Sequence, residues 1–266
     1  MIIIGEKINS TRKAVFPAIS NRDSEAIISL AKKQFEAGAS YLDINAGMFY
    51  DDEAELLEWL AVTVQSAVDA PLSFDSPNPA ALKKALQANR NGKPIINSIT
   101  GEKERYDNII PLVKEFDTRV VALCMDDSGM PDTVEDRVKI ADRLIEKLTG
   151  DGVSPCDIFI DPMVRPIGTD SRFGVVAIET IRQVKLTHPD VYVTCGLSNI
   201  SFGIPARMIM NQVFLIAAMA AGMDSAILDP LDKKLMTFLY AGNALMGRDD
   251  YCMEYLRKFR EGVLEL

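Results

Sequence analysis

The chain has 266 residues, 48% of them hydrophobic and 25% charged, an ordinary globular composition with enough apolar mass for a large core. Its 38 acidic against 29 basic residues give a net charge of −9. That is the opposite of the basic footprint of a nucleic-acid binder, and a poor match for an anionic membrane surface.

The opening Met1-Ile2-Ile3-Ile4-Gly5-Glu6-Lys7 has neither the basic region nor the cleavage site of a signal peptide. The longest apolar run, residues 213–223, is too short to span a bilayer. Four cysteines, Cys124, Cys156, Cys195 and Cys252, form no C-x-x-C pair and read as reduced thiols of a cytoplasmic protein. With a single histidine and no clustered thiols, a zinc site is disfavoured. His188, followed by Pro189, reads as an exposed helix-end residue, which leaves no support for Ser-His-Asp or Cys-His chemistry.

In chain order, short apolar runs alternate with amphipathic stretches. The first strand is predicted at residues 1–4. A helix over 23–37 follows, with Asp23-Ser24-Glu25 as cap region and Gly38 as stop. Further strands are predicted at 41–44, 72–74, 94–96, 120–124, 158–160, 191–195 and 226–228, continuous in hydrophobicity as parallel strands buried on both faces are. The helices between them are predicted at 53–68, 79–89, 102–116, 134–148, 175–186, 205–221 and 233–245, with a tail helix over 251–264. Eight strand–helix units suit an α/β protein of the (β/α)₈ TIM-barrel type, a single domain over residues 1–266. A doubly wound sheet would call for a phosphate fingerprint, and neither G-x-G-x-x-G nor G-x-x-x-x-G-K-[ST] occurs.

A barrel's active site lies at the C-terminal ends of its strands. Those positions read Gly5-Glu6, Asp43-Ile44-Asn45, Asp75-Ser76, Asn97-Ser98, Met125-Asp126, Asp161-Pro162, Gly196-Leu197-Ser198-Asn199 and Asp229-Pro230. Any one of them is explained by capping; the accumulation on one rim is not. The rim offers many acceptors and few fixed cations, so it suits a phosphate poorly. Glu6, Asp43, Asp75 and Asp161 would serve a metal-dependent lyase. The amides Asn97 and Asn199 better suit a flat heterocycle carrying both donors and acceptors, such as a pterin. The adjacent N3–H and 2-amino donors of a pterin match the two oxygens of one carboxylate.

In order along the chain, Gly5-Glu6-Lys7-Ile8-Asn9, Leu42-Asp43-Ile44-Asn45, Phe74-Asp75-Ser76, Ile96-Asn97-Ser98, Ile160-Asp161-Pro162 and Gly196-Leu197-Ser198-Asn199 resemble the pterin-binding barrel family. Within it they are most similar to methyltetrahydrofolate:corrinoid-protein methyltransferases, and Lys7 stands where the methionine synthase module typically has arginine. The resemblance implies that Asp161 holds the N3–H and 2-amino edge, Asn97 the N1 side and Asp75 the N8–H, while Asn199 approaches N5. Gly196 and Ser198 would shape that loop. Asp43 and Asn45 would line the floor, Glu6 and Asn9 would stand behind the ligand-contacting groups, and Arg207 would meet the p-aminobenzoyl or glutamate end. It also implies Asn199 and Asp75 as the catalytic pair, a proton relayed by water among them, and no cofactor or metal held by the chain. The corrinoid would arrive on a partner protein; residues 205–221, apolar most of the way round, read as a buried helix, and the family's habit implies a homodimer. Dihydropteroate synthase is a rival, weakened because the seventh and eighth strand ends carry no cation. The metal-dependent lyase and a non-catalytic folate-binding subunit are the others.

Overall fold

The computed structural model describes residues 1–265. Its strands are β1 (Ile2–Asn9), β2 (Tyr41–Asn45), β3 (Leu72–Asp75), β4 (Ile95–Thr100), β5 (Arg119–Leu123), β6 (Ile158–Asp161), β7 (Tyr192–Val193) and β8 (Ser225–Leu228). They form one parallel sheet in the order β7-β6-β5-β4-β3-β2-β1-β8. The ring is completed between β7 and β8 by a single bridge, Gly196 to Ile227, with the Ile227 amide donating to the Cys195 carbonyl at 2.9 Å. The predicted barrel is therefore present, with one thin seam.

Around it run α1 (Phe16–Ser20), α2 (Ser24–Glu36), α3 (Glu53–Gln65), α4 (Pro79–Ala88), α5 (Lys103–Glu115), α6 (Val134–Gly150), α7 (Arg172–Thr187), α8 (Arg207–Ala221), α9 (Lys233–Leu245) and α10 (Met253–Arg260). Side-chain caps fix several starts. The carboxylate of Asp23 accepts from Ala26 N–H at 3.1 Å, Thr133 Oγ1 from Asp136 N–H at 3.1 Å, and Asp232 from Leu235 N–H at 3.0 Å. Gly222, at φ +117°, ends α8 in the left-handed region.

The differences from expectation lie mostly at the functional rim. β1 and β4 run on through Glu6-Lys7 and Asn97-Ser98, which were expected to follow the strands. Each carries a register shift there, between Gly5 and Ile8 and between Asn97 and Ile99. β7 is shorter than its apolar run. The five-residue α1 and the 3₁₀ turns Gly47–Asp52 and Leu197–Ser201 were not expected, being too short to show a period. His188 is half-buried rather than exposed, because its Nε2 lies 2.7 Å from Asp142 Oδ1.

Most of the core lies between sheet and helices. A second, smaller apolar group, Ile4, Tyr41, Ile95, Val121 and Phe159, packs apart from it. Side chains alternate along a strand, so Tyr41 shares a face with Asp43, Ile95 with Asn97 and Phe159 with Asp161. That apolar layer is thus the floor on which the polar layer stands.

Candidate functional site

A cavity of about 940 Å³ opens at the C-terminal ends of the strands. Glu6, Asp43, Asp75, Asn97 and Asp161 reach its wall from five strands, Gly196, Ser198 and Asn199 from the β7–α8 connection, and Arg207 from the start of α8. Asn45 does not line it. Instead it donates through Nδ2 to Asp75 Oδ2 at 3.0 Å and to the Asp75 carbonyl at 3.1 Å, and accepts through Oδ1 from Ser10 Oγ at 2.7 Å. It therefore sets the direction of Asp75.

The carboxylates differ in what surrounds them. Asp43 is buried and accepts from Ser73 Oγ at 2.6 Å and Asn97 Nδ2 at 3.3 Å. Burial, then the charge of Asp75, push its pKa well up. Asn97 keeps a second amide N–H for the cavity. Asp75 is pushed up to about 6 by burial, with Glu53 adding to the rise while the Asn45 hydrogen bond and Arg105 oppose it. Asp161 accepts from Met163 N–H at 2.7 Å, and burial pushes it up to about 7 against that bond and Arg137. A heterocycle edge with two adjacent donors is what such a desolvated carboxylate lacks.

Asn199 sits in the turn Leu197–Ser201, exposed at the cavity mouth. A Cβ on Gly196 would lie 3.0 Å from Asn199 Nδ2, so glycine is what lets this amide fold against the backbone. Arg207 opens α8, donating to Ser201 Oγ at 3.1 Å and the Ser198 carbonyl at 2.8 Å, with its guanidinium 5.8 Å from the ring centre of Phe202.

The expected shortage of cations needs correcting. Lys7 Nζ lies 2.7 Å from Asp229 Oδ2, so a cation does stand at the eighth strand end, and Arg12 Nη2 lies 2.6 Å from Glu6 Oε1. Both line the cavity, and both are neutralised by a carboxylate partner. The shift in β1 explains why they were missed: strict alternation sends neighbours to opposite faces, whereas a bulge turns Glu6 and Lys7 to one side. Glu6 and Asn9 are themselves on the wall, not behind it. Phe202 and Asn211 were also missed; nothing in the sequence distinguished them from surface helix residues. Among the described residues, no three His, Cys, Asp or Glu side chains come together as a metal-binding group.

Fold and site together define a pterin-binding barrel. The chain belongs to the pterin binding enzyme family, whose pattern it matches over residues 5–229. It is 39% identical to a methylcorrinoid:tetrahydrofolate methyltransferase of Eubacterium limosum, over 99% of this chain and 98% of that one. It is 36% identical to methionine synthase of Mycobacterium tuberculosis over 85% of this chain, which is 20% of that much longer protein. The fold is that of dihydropteroate synthase from Xanthomonas albilineans, at a TM-score of 0.71 and 19% identity, covering 91% of this chain and 94% of that one.

Proposed function

We propose that the chain is a methyltransferase moving a methyl group between the cobalt of a separate corrinoid protein and N5 of tetrahydrofolate, in the direction named for the Eubacterium relative. The observation that carries the reading is the row of Asp161, Asn97 and Asp75 on one wall of an open polar cavity, with Asn199 at its mouth. Asp161 takes the N3–H and 2-amino edge, the free N–H of Asn97 the N1 side, and Asp75 the N8–H. Arg207 and Phe202 receive the p-aminobenzoyl and glutamate end.

The corrinoid supplies an electrophilic methyl group and leaves with the electron pair of the cobalt–carbon bond. The N5 lone pair forms the new C–N bond, and the N5 proton must then depart. Asn199 hydrogen-bonds N5 as its charge changes, which favours the transition state over the ground state. Water held by Asp75 carries the proton, since a carboxylate near 6 accepts one close to neutral pH. The chain holds no cofactor or metal of its own in this scheme. Two exposed free thiols, Cys156 and Cys252, support a reducing, cytoplasmic setting. Ile209, Val213, Ile216 and Ala220 follow the spacing of one helix face on α8, with Ile209 63% and Val213 61% exposed, and this supports a homodimer. The helix was expected to be buried all round and is not.

The test is a single-turnover reaction of the purified chain with methylcobalamin and tetrahydrofolate, following loss of the methyl–cobalt spectrum. Folate binding without transfer would make the chain a non-catalytic folate-binding subunit. Dihydropteroate formation from p-aminobenzoate would favour the synthase alternative.

A further inference from the structure

Arg137, on α6, is the one arginine or lysine buried among the described residues, and its side chain makes no ion pair. Its partners are carbonyls: Nη1 donates to those of Pro162 at 2.7 Å and Met163 at 3.0 Å, and Nε to that of Pro131 at 3.1 Å. A buried guanidinium without a carboxylate is costly to keep. Where it is placed explains why it is kept. Pro162 and Met163 directly follow Asp161, and Met163 stands at φ +59°, a left-handed conformation an unbranched L residue adopts only under restraint. In that conformation its N–H points at Asp161 Oδ1.

We propose that Arg137 is a positioning residue for substrate recognition: it locks the turn at Pro162 and Met163 so that the Met163 N–H and a buried positive charge both bear on Asp161. The proposal rests on the reading that Asp161 holds the heterocycle edge. Among the described residues Arg137 is the charged group that opposes the burial of Asp161. The neighbours just after β5 and β7 are the thiols of Cys124 and Cys195, both pushed up and neutral. Asp132 and Arg165 act on the guanidinium from the flanking loops, and Asp142 acts on Cys124. Without Arg137, Asp161 would meet the substrate's donors protonated over a wider pH range, with one oxygen no longer able to accept.

The test begins on the free protein. With carboxyl-¹³C aspartate and Asp161→Asn to assign the signal, Asp161 titrates near 7 in the wild type. In Arg137→Gln the midpoint rises by about one pH unit, and Arg137→Lys, which restores charge without the fork of donors, recovers most of it. Methyltetrahydrofolate affinity, measured by calorimetry across the same range, follows the Asp161 midpoint in each variant. An unchanged Asp161 midpoint in Arg137→Gln, or an affinity loss uniform in pH, overturns the proposal and leaves Arg137 a structural brace. If Asp161→Asn binds methyltetrahydrofolate like the wild type, the edge-binding reading falls and takes the recognition role with it, while the free-protein titration still reports on Arg137 separately. If the variants do not fold, the wild-type Arg137 Nε–H resonance decides: it moves with the Asp161 midpoint, and its failure to do so overturns the proposal.

Discussion

Asp43, Asp75 and Asp161 meet the cavity with raised pKa values, so the site holds protons at a pH where free aspartates would not. The folded state binds more protons than the unfolded one between the unfolded value of about 4 and the folded values near 6 and 7, so these groups cost stability as pH rises through that window. A ligand that donates two hydrogen bonds to Asp161 reverses its preference. Methyltetrahydrofolate binding is therefore expected to release protons near pH 6.5–7 and to tighten as pH rises to about 7. Calorimetry in buffers of differing ionisation enthalpy checks the first statement; equal apparent enthalpies would contradict it. Asp161→Ala is expected to weaken binding by roughly 2–4 kcal/mol, since both lost bonds are made to a buried carboxylate. Asn199 is expected to divide differently between binding and rate. Asn199→Ala should lower single-turnover methyl transfer by roughly 10²–10³, with a smaller change in folate affinity. Equal losses in both would reduce it to a binding residue.

At the scale of elements, the turn Leu197–Ser201 carries Asn199, the residue proposed to meet N5, and Gly196 sets where its amide rests. Gly196→Ala puts a methyl group against Asn199 Nδ2. The transfer rate is expected to fall towards that of Asn199→Ala, and the double substitution to cost no more than Asn199→Ala alone. Additive losses would show that the two act independently. This region also marks where the sequence stopped being readable. The barrel, and the carboxylates and amides at its strand ends, followed from apolar runs closing on Asp and Asn. Parity alone places Asp43 above Tyr41 and Asp161 above Phe159. The Lys7–Asp229 and Glu6–Arg12 pairs did not follow, because a bulge breaks parity and leaves no mark on composition. Arg137 was invisible for another reason: on an amphipathic helix an arginine reads as solvated, and only the tertiary fold brings it the carbonyls of Pro162 and Met163 after β6 and of Pro131 before α6.

For the whole molecule, two surfaces have work to do. In the proposed reaction the cavity mouth admits a corrinoid partner, and the exposed face of α8 is covered by a second copy if the chain dimerises. Ile209→Asp places a charge in that face and is expected to convert the dimer to monomer in sedimentation, with little loss of folding stability, because Ile209 is already 63% exposed. A wild-type chain that sediments as a monomer would end the dimer reading. The β7–β8 seam has a consequence of its own. Seven ladders and one bridge make a split ring, with the least main-chain pairing at its gap. The gap lies beside the turn that carries Asn199, so local opening is expected to be easiest at the mouth where, in the proposed reaction, the methyl carrier enters. A folate spanning from Asp161 to Asn199 would bridge the gap like a clasp. The Ile227 amide, whose bond to Cys195 crosses the seam, should therefore exchange its hydrogen more slowly once folate is bound, whereas amides in the β2–β3 ladder should barely change.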